Sequence, residues 1–240
     1  MEALHGAILW LNGIVWGPPM LILLFGTHLY LTFRLKFIQK YVFKAIKLSV
    51  TKDDSGAGYI SQFGALATAL AATIGTGNIV GVATAVSIGG PGAVLWTWLT
   101  GLFGIATKYS EGLLAVKYRV KTSDGTMLGG PMYALERGLN MKWLGVLFAI
   151  FTVVASFGIG NMTQANSITS MLEASFGFNP VISGVIITIA SAVVILGGVQ
   201  SIAKVCEALV PFMALFYIVG CAIILVINAS FIPQAFSTIF

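Results

Sequence analysis

A chain of 240 residues with 58% hydrophobic and only 9% charged side chains is too apolar for a soluble domain, where roughly 45–50% and 25% are usual. The net charge is +5, but its 13 Lys and Arg residues fall between apolar runs, which excludes a nucleic-acid-binding face and any other nucleic-acid partner. The composition is that of an all-α integral membrane protein set in a lipid bilayer, long enough for about six spans at ~20 residues each.

The first apolar run, Ile8 to Phe33, is interrupted by Gly17-Pro18-Pro19. It lacks the basic start and small-residue cleavage site of a signal peptide, so it reads as a first membrane helix, bent or started at the prolines. His5 and His28 stand isolated in the sequence. From Arg34 to Lys47, basic and apolar residues interleave at helical spacing. This fits a helix lying on an anionic membrane surface, with a solvated connector as the alternative.

The second run, Ile60–Ile88, is span-length yet has a poorly helical centre, Ala71-Ala72-Thr73-Ile74-Gly75-Thr76-Gly77-Asn78-Ile79-Val80-Gly81-Val82-Ala83. Glycine weakens the helix, and Thr and Asn side chains hydrogen-bond nearby main chain. Bare backbone inside a membrane is tolerated only where it lines a cavity, and there it is ready to hold an ion or a zwitterion. The alternative is a Gly-rich helix packed closely on a neighbour.

Gly89-Gly90-Pro91-Gly92 turns the chain into the third run, Ala93–Val116. Lys108 and Glu111 lie three apart near its inner end, so one helix face presents both. A snorkelling interfacial pair is one reading. For Glu111, a structural brace on exposed backbone N–H groups is the other. After a polar loop, Thr122 to Gly130, Pro131 and Gly138 bracket a short interfacial helix. The fourth run, Trp143–Leu172, carries Asn161, Thr163, Gln164 and Asn166, which either glue helices together or wall a polar cavity. The fifth, Pro180–Leu196, stops at Gly197-Gly198. The sixth, Ile202–Ile227, has Pro211 as an expected kink, and Lys204 with Glu207 near its start as an expected interfacial ion pair. Cys206 and Cys221 read as buried thiols, too far apart along one helix for a disulfide. The tail, Asn228–Phe240, is too short to span.

With six spans, every Lys and Arg lies on or near one side, and the opposite loops carry only Glu2 and Glu173. The positive-inside rule makes the basic side cytoplasmic and puts the N-terminus outside.

Ala71–Ala83, then Gly89 to Leu99 and Leu102 to Glu111, resemble the signature of the alanine/glycine:cation symporter family. Gly129-Gly130-Pro131-Met132-Tyr133 and Gly197 to Ile202 resemble two further blocks of that family, so the likeness covers essentially the whole chain. One departure is Thr97, where the family has Met between the two tryptophans. The resemblance implies a leucine-transporter-type fold, built from inverted five-helix repeats whose first helices are unwound. Span two would be the unwound helix, and spans two to six the first repeat. The expected organisation is therefore an extra N-terminal helix and basic connector over 1–58, the first repeat over 59–228, and the start of a connection over 229–240. A second five-helix repeat is expected to be required for activity, making this chain the N-terminal half of such a transporter.

Carried over by resemblance, the N–H groups of Thr76 and Gly77 face a substrate carboxylate, and the carbonyl of Thr73 faces its ammonium. Asn78 and Gln164 add side-chain contacts, and the carbonyls of Ala71 and Ile74 form part of a sodium site. Gly75 serves the break structurally. The expected function is sodium-coupled symport of alanine or glycine across the cell membrane by alternating access, with a proton as a possible coupling ion. An integral-membrane enzyme acting on lipid-linked substrates is the alternative, but no metal cluster, nucleophile–base pair or acidic dyad appears in any span. A non-transporting membrane fragment is the third reading.

Overall fold

The computed structural model describes residues 2–51, 60–123 and 125–240, and the expected boundary between residues 58 and 59 lies outside them. Helices follow the apolar runs. α1 (Glu2–Val15) and α2 (Pro18–Arg34) share the first, parted at Trp16 and Gly17, with Pro18 opening α2. Proline suits that position because a first-turn N–H has no intrahelical acceptor anyway. After a 3₁₀ turn, Ile38–Tyr41, comes α3 (Val42–Val50).

The second run forms α4 (Gln62–Thr73) and α5 (Val82–Gly89), joined by a π-helical turn, Gly77–Gly81. α6 (Gly92–Lys117) leads to two short antiparallel strands, β1 (Val120–Lys121) and β2 (Met127–Leu128), inside what reads in sequence as a polar loop. α7 (Pro131–Gly138) has the bounds that its proline and glycine predict. α8 (Lys142–Ala155) passes through a second π-helical segment, Ser156–Met162, into α9 (Thr163–Phe176). α10 (Pro180–Leu196), α11 (Gly198–Ile227) and α12 (Ile232–Ile239) complete the described chain, and α11 runs unbroken through Pro211.

Among the described residues three helical stretches are long and apolar enough to cross a membrane: Leu4–Arg34, Lys142–Phe176 and Gly198–Ile227. The bent pair Gln62–Thr73 and Gly77–Gly89 makes a fourth if counted as one span. The other two expected spans are helical but fall short for separate reasons. α6 carries Lys108, Glu111 and Lys117, and α10 is apolar but only 17 residues long.

The chain divides into two compact units, Met1–Phe43 with Leu95–Gly145, and Lys44–Val94 with Val146–Phe240. In the first, Phe25 meets the edges of Trp96 and Phe103, packing α2 on α6. His28, isolated in the sequence, is buried here, and its Nδ1 is hydrogen-bonded to Thr107 Oγ1 at 2.7 Å. The fully buried Thr32 accepts from Gln39 Nε2 at 3.0 Å, and that same group reaches the Leu102 carbonyl at 3.2 Å. Such bonds keep polar side chains satisfied within an apolar span.

In the second unit α4 lies on α11. Ala67 on one and Ala203 and Val210 on the other are buried, so the contact is made by small side chains at helical spacing. Ser61 caps α4 by accepting the Gly64 N–H at 2.8 Å. Its hydroxyl donates to Glu207 Oε1 on α11. A Cβ at Gly64 would collide with that carboxylate oxygen. The expected Lys204–Glu207 ion pair is not formed; among the described residues the only ion pair is Lys108–Glu111. Glu207 turns instead to the N-terminus of α4, where a hydroxyl donor and the positive end of the helix dipole hold it better than an exposed lysine.

Candidate functional site at the helix break

α4 ends because Ile74 leaves helical geometry, with φ −83° and ψ 100°. Its N–H still reaches the Leu70 carbonyl at 2.7 Å, so the helix stops rather than frays. The chain resumes at Gly77 with a 48° change of direction. The last carbonyls of α4, among them those of Ala71 and Thr73, have no intrahelical donor, and the first N–H groups of the next half, including those of Thr76 and Gly77, have no intrahelical acceptor. A negative helix end thus stands next to a positive one. This pair of ends suits a small zwitterion, with its ammonium toward the carbonyls and its carboxylate toward the N–H groups.

The break is braced from within. Asn78 Oδ1 accepts the Gly75 N–H at 3.4 Å, and the Asn78 N–H reaches the Gly75 carbonyl at 3.0 Å. Asn78 therefore shapes the turn with its side chain, where the sequence reading gave that side chain to the ligand. The Thr73 hydroxyl returns to the Ala69 carbonyl at 2.8 Å, and the one role expected of Thr73, through its own carbonyl, does not involve that hydroxyl.

A second span reaches the break. Thr76 Oγ1 donates to Gln164 Oε1 at 2.8 Å, 88 residues away in sequence. A Cβ at Gly75 would stand 3.6 Å from the same oxygen. Gln164 Nε2 has no partner among the described residues. Of the polar group in run four, Gln164 is the one hydrogen-bonded to the break among the described residues. The Asn166 carbonyl is used by Thr169, and Thr163 turns its hydroxyl back to the Gly158 carbonyl at 3.2 Å.

The π-helical segment Ser156–Met162 lies immediately before Thr163 and Gln164. Its signature is the Thr163 N–H bonding the Gly158 carbonyl, one residue further back than in an α-helix. π-turns of this kind recur at functional sites because they rotate the following side chains and disturb the carbonyl ladder. Sequence reasoning missed it; the available signal was Gly158 and Gly160 within an otherwise helical pattern.

Gly77 has open space where a Cβ would stand, and its φ is not left-handed. Neither backbone strain nor a neighbouring atom thus gives a reason for glycine there. Glu111 pairs within its own helix: its Oε2 takes Lys108 Nζ at 3.0 Å, and it accepts no backbone N–H among the described residues.

The profile of the sodium:alanine symporter family matches residues 1–240. A sodium/alanine symporter, AgcS, from Methanococcus maripaludis is 53% identical over 95% of this chain and 52% of its own length. An uncharacterized transporter of Haemophilus influenzae is 52% identical over 98% of the chain and 51% of its own. A putative sodium/proton-dependent alanine carrier, YrbD, from Bacillus subtilis is 39% identical over 96% and 47%. The chain thus spans about half the length of the curated relatives it matches. With a family match over its whole length and several membrane-length apolar helices, this multi-pass protein of the cell membrane belongs to the sodium:alanine symporter family, a family of transporters and not of enzymes.

Proposed function

We propose that the chain forms the first repeat, with one added N-terminal helix, of a leucine-transporter-type symporter that moves alanine or glycine with sodium by alternating access. The observation that carries this reading is the Thr76–Gln164 hydrogen bond, which sets an amide from another span beside the paired helix ends. The N–H groups of Thr76 and Gly77 take the carboxylate, and the Thr73 carbonyl takes the ammonium. Gln164 adds a polar wall through its free Nε2, and Asn78 keeps the turn in shape. The carbonyls of Ala71 and Ile74 contribute oxygen ligands for sodium, a hard cation. Gly75 keeps the break narrow enough for Gln164 to lie across it.

The relatives' names support alanine as substrate, and one of them puts a proton beside sodium as coupling ion. Relatives about twice as long support a second repeat that completes the cavity and is required for transport. Residues 1–58 are then the added helix and its connector, 59–228 the first repeat, and 229–240 the start of a link. The segregation of basic residues supports six spans with the N-terminus outside. In intact cells, a cysteine at Gly90 then reacts with an impermeant reagent while one at Ser123 stays protected; the reverse pattern overturns this orientation.

The direct test is alanine and glycine uptake into vesicles holding the transport-competent protein. Accumulation is expected with an inward sodium gradient and not with potassium. Accumulation driven by a proton gradient in sodium-free buffer would make the proton the coupling ion. Uptake of neither amino acid under any gradient would overturn the proposal.

A further inference from the structure

The segment that follows α2 has a chemistry the transport site does not use. The sequence holds no Asp or Glu between Glu2 and Asp53, while Arg34, Lys36, Lys40, Lys44 and Lys47 all fall just past the first apolar run. α2 ends at Arg34, and both Lys36 and Phe37 adopt left-handed backbone, φ 52° and 57°. L-residues rarely adopt this conformation in succession, and here it stops the helix and starts the 3₁₀ turn and α3.

α3 sorts its side chains by chemistry. Lys44 and Lys47 lie three apart and share one basic face of the helix, and Lys40 precedes them on the 3₁₀ turn. Phe43, Ile46 and Val50 recur at three and four, forming an apolar row beside that face. All six are exposed; Phe43 is 85% accessible, Ile46 53% and Val50 60%. Lys40 Nζ lies 5.1 Å from the centroid of the Tyr41 ring. At the far end, the Ser49 hydroxyl returns to the Ala45 carbonyl at 2.9 Å and the Thr51 hydroxyl to the Lys47 carbonyl at 2.7 Å. The polar groups of the last turn are thus satisfied within the segment, and its outward chemistry is cationic and apolar.

We propose that α3 is an anionic-phospholipid binding surface, lying in the headgroup layer at the end of the span formed by α1 and α2, with its lysines on lipid phosphates and Phe43, Ile46 and Val50 in the acyl boundary. Charge complementarity and position choose this occupant. A second copy of the chain would bring lysine row against lysine row. An acidic peptide would meet the lysines but leave the apolar row in water. A bilayer surface supplies negative charge and hydrocarbon side by side over the depth an interfacial helix occupies. Only three residues separate the end of a span-length helix from the 3₁₀ turn, so α3 begins where that surface must be.

The test places an environment-sensitive dye on a single cysteine at Ile46, with Cys206 and Cys221 replaced by serine, in the whole chain reconstituted into vesicles. The vesicles are phosphatidylcholine alone or phosphatidylcholine with phosphatidylglycerol. Brominated lipids are expected to quench the dye, dissolved iodide to leave it alone, and quenching to grow with the phosphatidylglycerol fraction and fall in high salt. The exposed triple variant Lys40→Gln, Lys44→Gln, Lys47→Gln should keep its circular dichroism and need about threefold more phosphatidylglycerol for half-maximal quenching. Iodide access in anionic vesicles would mean a solvated connector and overturn the proposal. Shielding from both quenchers would mean a protein partner and overturn it too. Equal lipid quenching in both vesicles, unchanged in the triple variant, would refute the anionic requirement.

Discussion

Two spans of this molecule are irregular, and they are irregular in different ways. The span from Gln62 to Gly89 breaks outright, bending by 48° between two half-helices. The span from Lys142 to Phe176 keeps its 35-residue course and absorbs its irregularity as a π-helical segment. The first leaves backbone donors and acceptors without intrahelical partners; the second stays helical through its π-turn and rotates side chains. In the proposed site one span offers main chain to the substrate, while the other delivers a side chain, Gln164, to the same break.

If that division is right, the largest effect belongs to the bare backbone. Gly77→Val in the transport-competent protein is expected to reduce alanine uptake to about one hundredth or less, the scale on which misplacing a bound group by an ångström acts. Expression and thermal stability should hold, because a Cβ there meets nothing within 4 Å and the backbone φ is not left-handed. Uptake measured beside thermal melting in detergent checks both halves. Loss of folding together with uptake would instead make Gly77 a helix-packing residue.

The hydrogen bond that joins the two spans comes next. Gln164→Ala should weaken alanine binding by about 1–3 kcal/mol, the cost of leaving a polar partner unmade. Thr76→Val should behave alike, since it removes the donor to the same oxygen. Isothermal titration of both single variants and the double gives a cycle, with an expected coupling of about 0.5–3 kcal/mol for residues in direct contact. Additive losses would show that the two spans act on the ligand separately.

Gly75→Ala should cost much less. Its Cβ would sit at ordinary contact distance, 3.6 Å, from Gln164 Oε1, and its φ is not left-handed. A few-fold rise in the alanine concentration for half-maximal uptake is expected, with an unchanged maximal rate. A loss as large as that of Gly77→Val would mean that Gly75, and not Gly77, is the point of close approach.

The two irregular spans were not equally legible in the sequence. Thr73, Gly75, Thr76, Gly77 and Asn78 fall together inside an apolar run, and each disfavours helix by a local mechanism, so residue types point to the break while leaving a close-packed Gly-rich helix as the alternative. A π-segment arises from how one extra residue is accommodated, and Gly158 and Gly160 do not distinguish it from a close helix contact. Long-range polar partners were invisible for another reason. Ser61 and Glu207 are 146 residues apart and His28 and Thr107 are 79 apart, so only the packing of α4 on α11 and of α2 on α6 brings them together. Reading Glu207 from its own helix pointed to Lys204, three residues away, because local spacing was the only geometry on hand. The helices themselves followed hydropathy closely. What hydropathy could not supply was how α6, with its charges, and α10, with its 17 residues, are accommodated beside the longer spans.

The smallest effect tests whether the π-segment is held by its own side chains. Thr163 bonds the Gly158 carbonyl twice, through its N–H and, at 3.2 Å, through its hydroxyl. Thr163→Val keeps the shape and the N–H bond and deletes only the hydroxyl. Polar contacts within membrane helix bundles average about 0.6 kcal/mol, so a slight fall in thermal stability is expected, with alanine binding unchanged. That outcome fits a segment whose geometry is fixed by chain register and glycine placement, with Gln164 carried to the break by the helix as a whole. If Thr163→Val instead weakened alanine binding as much as Gln164→Ala, the hydroxyl would be setting the rotation of the next residue. The second irregular span would then owe its contribution to one side-chain bond and not to its backbone.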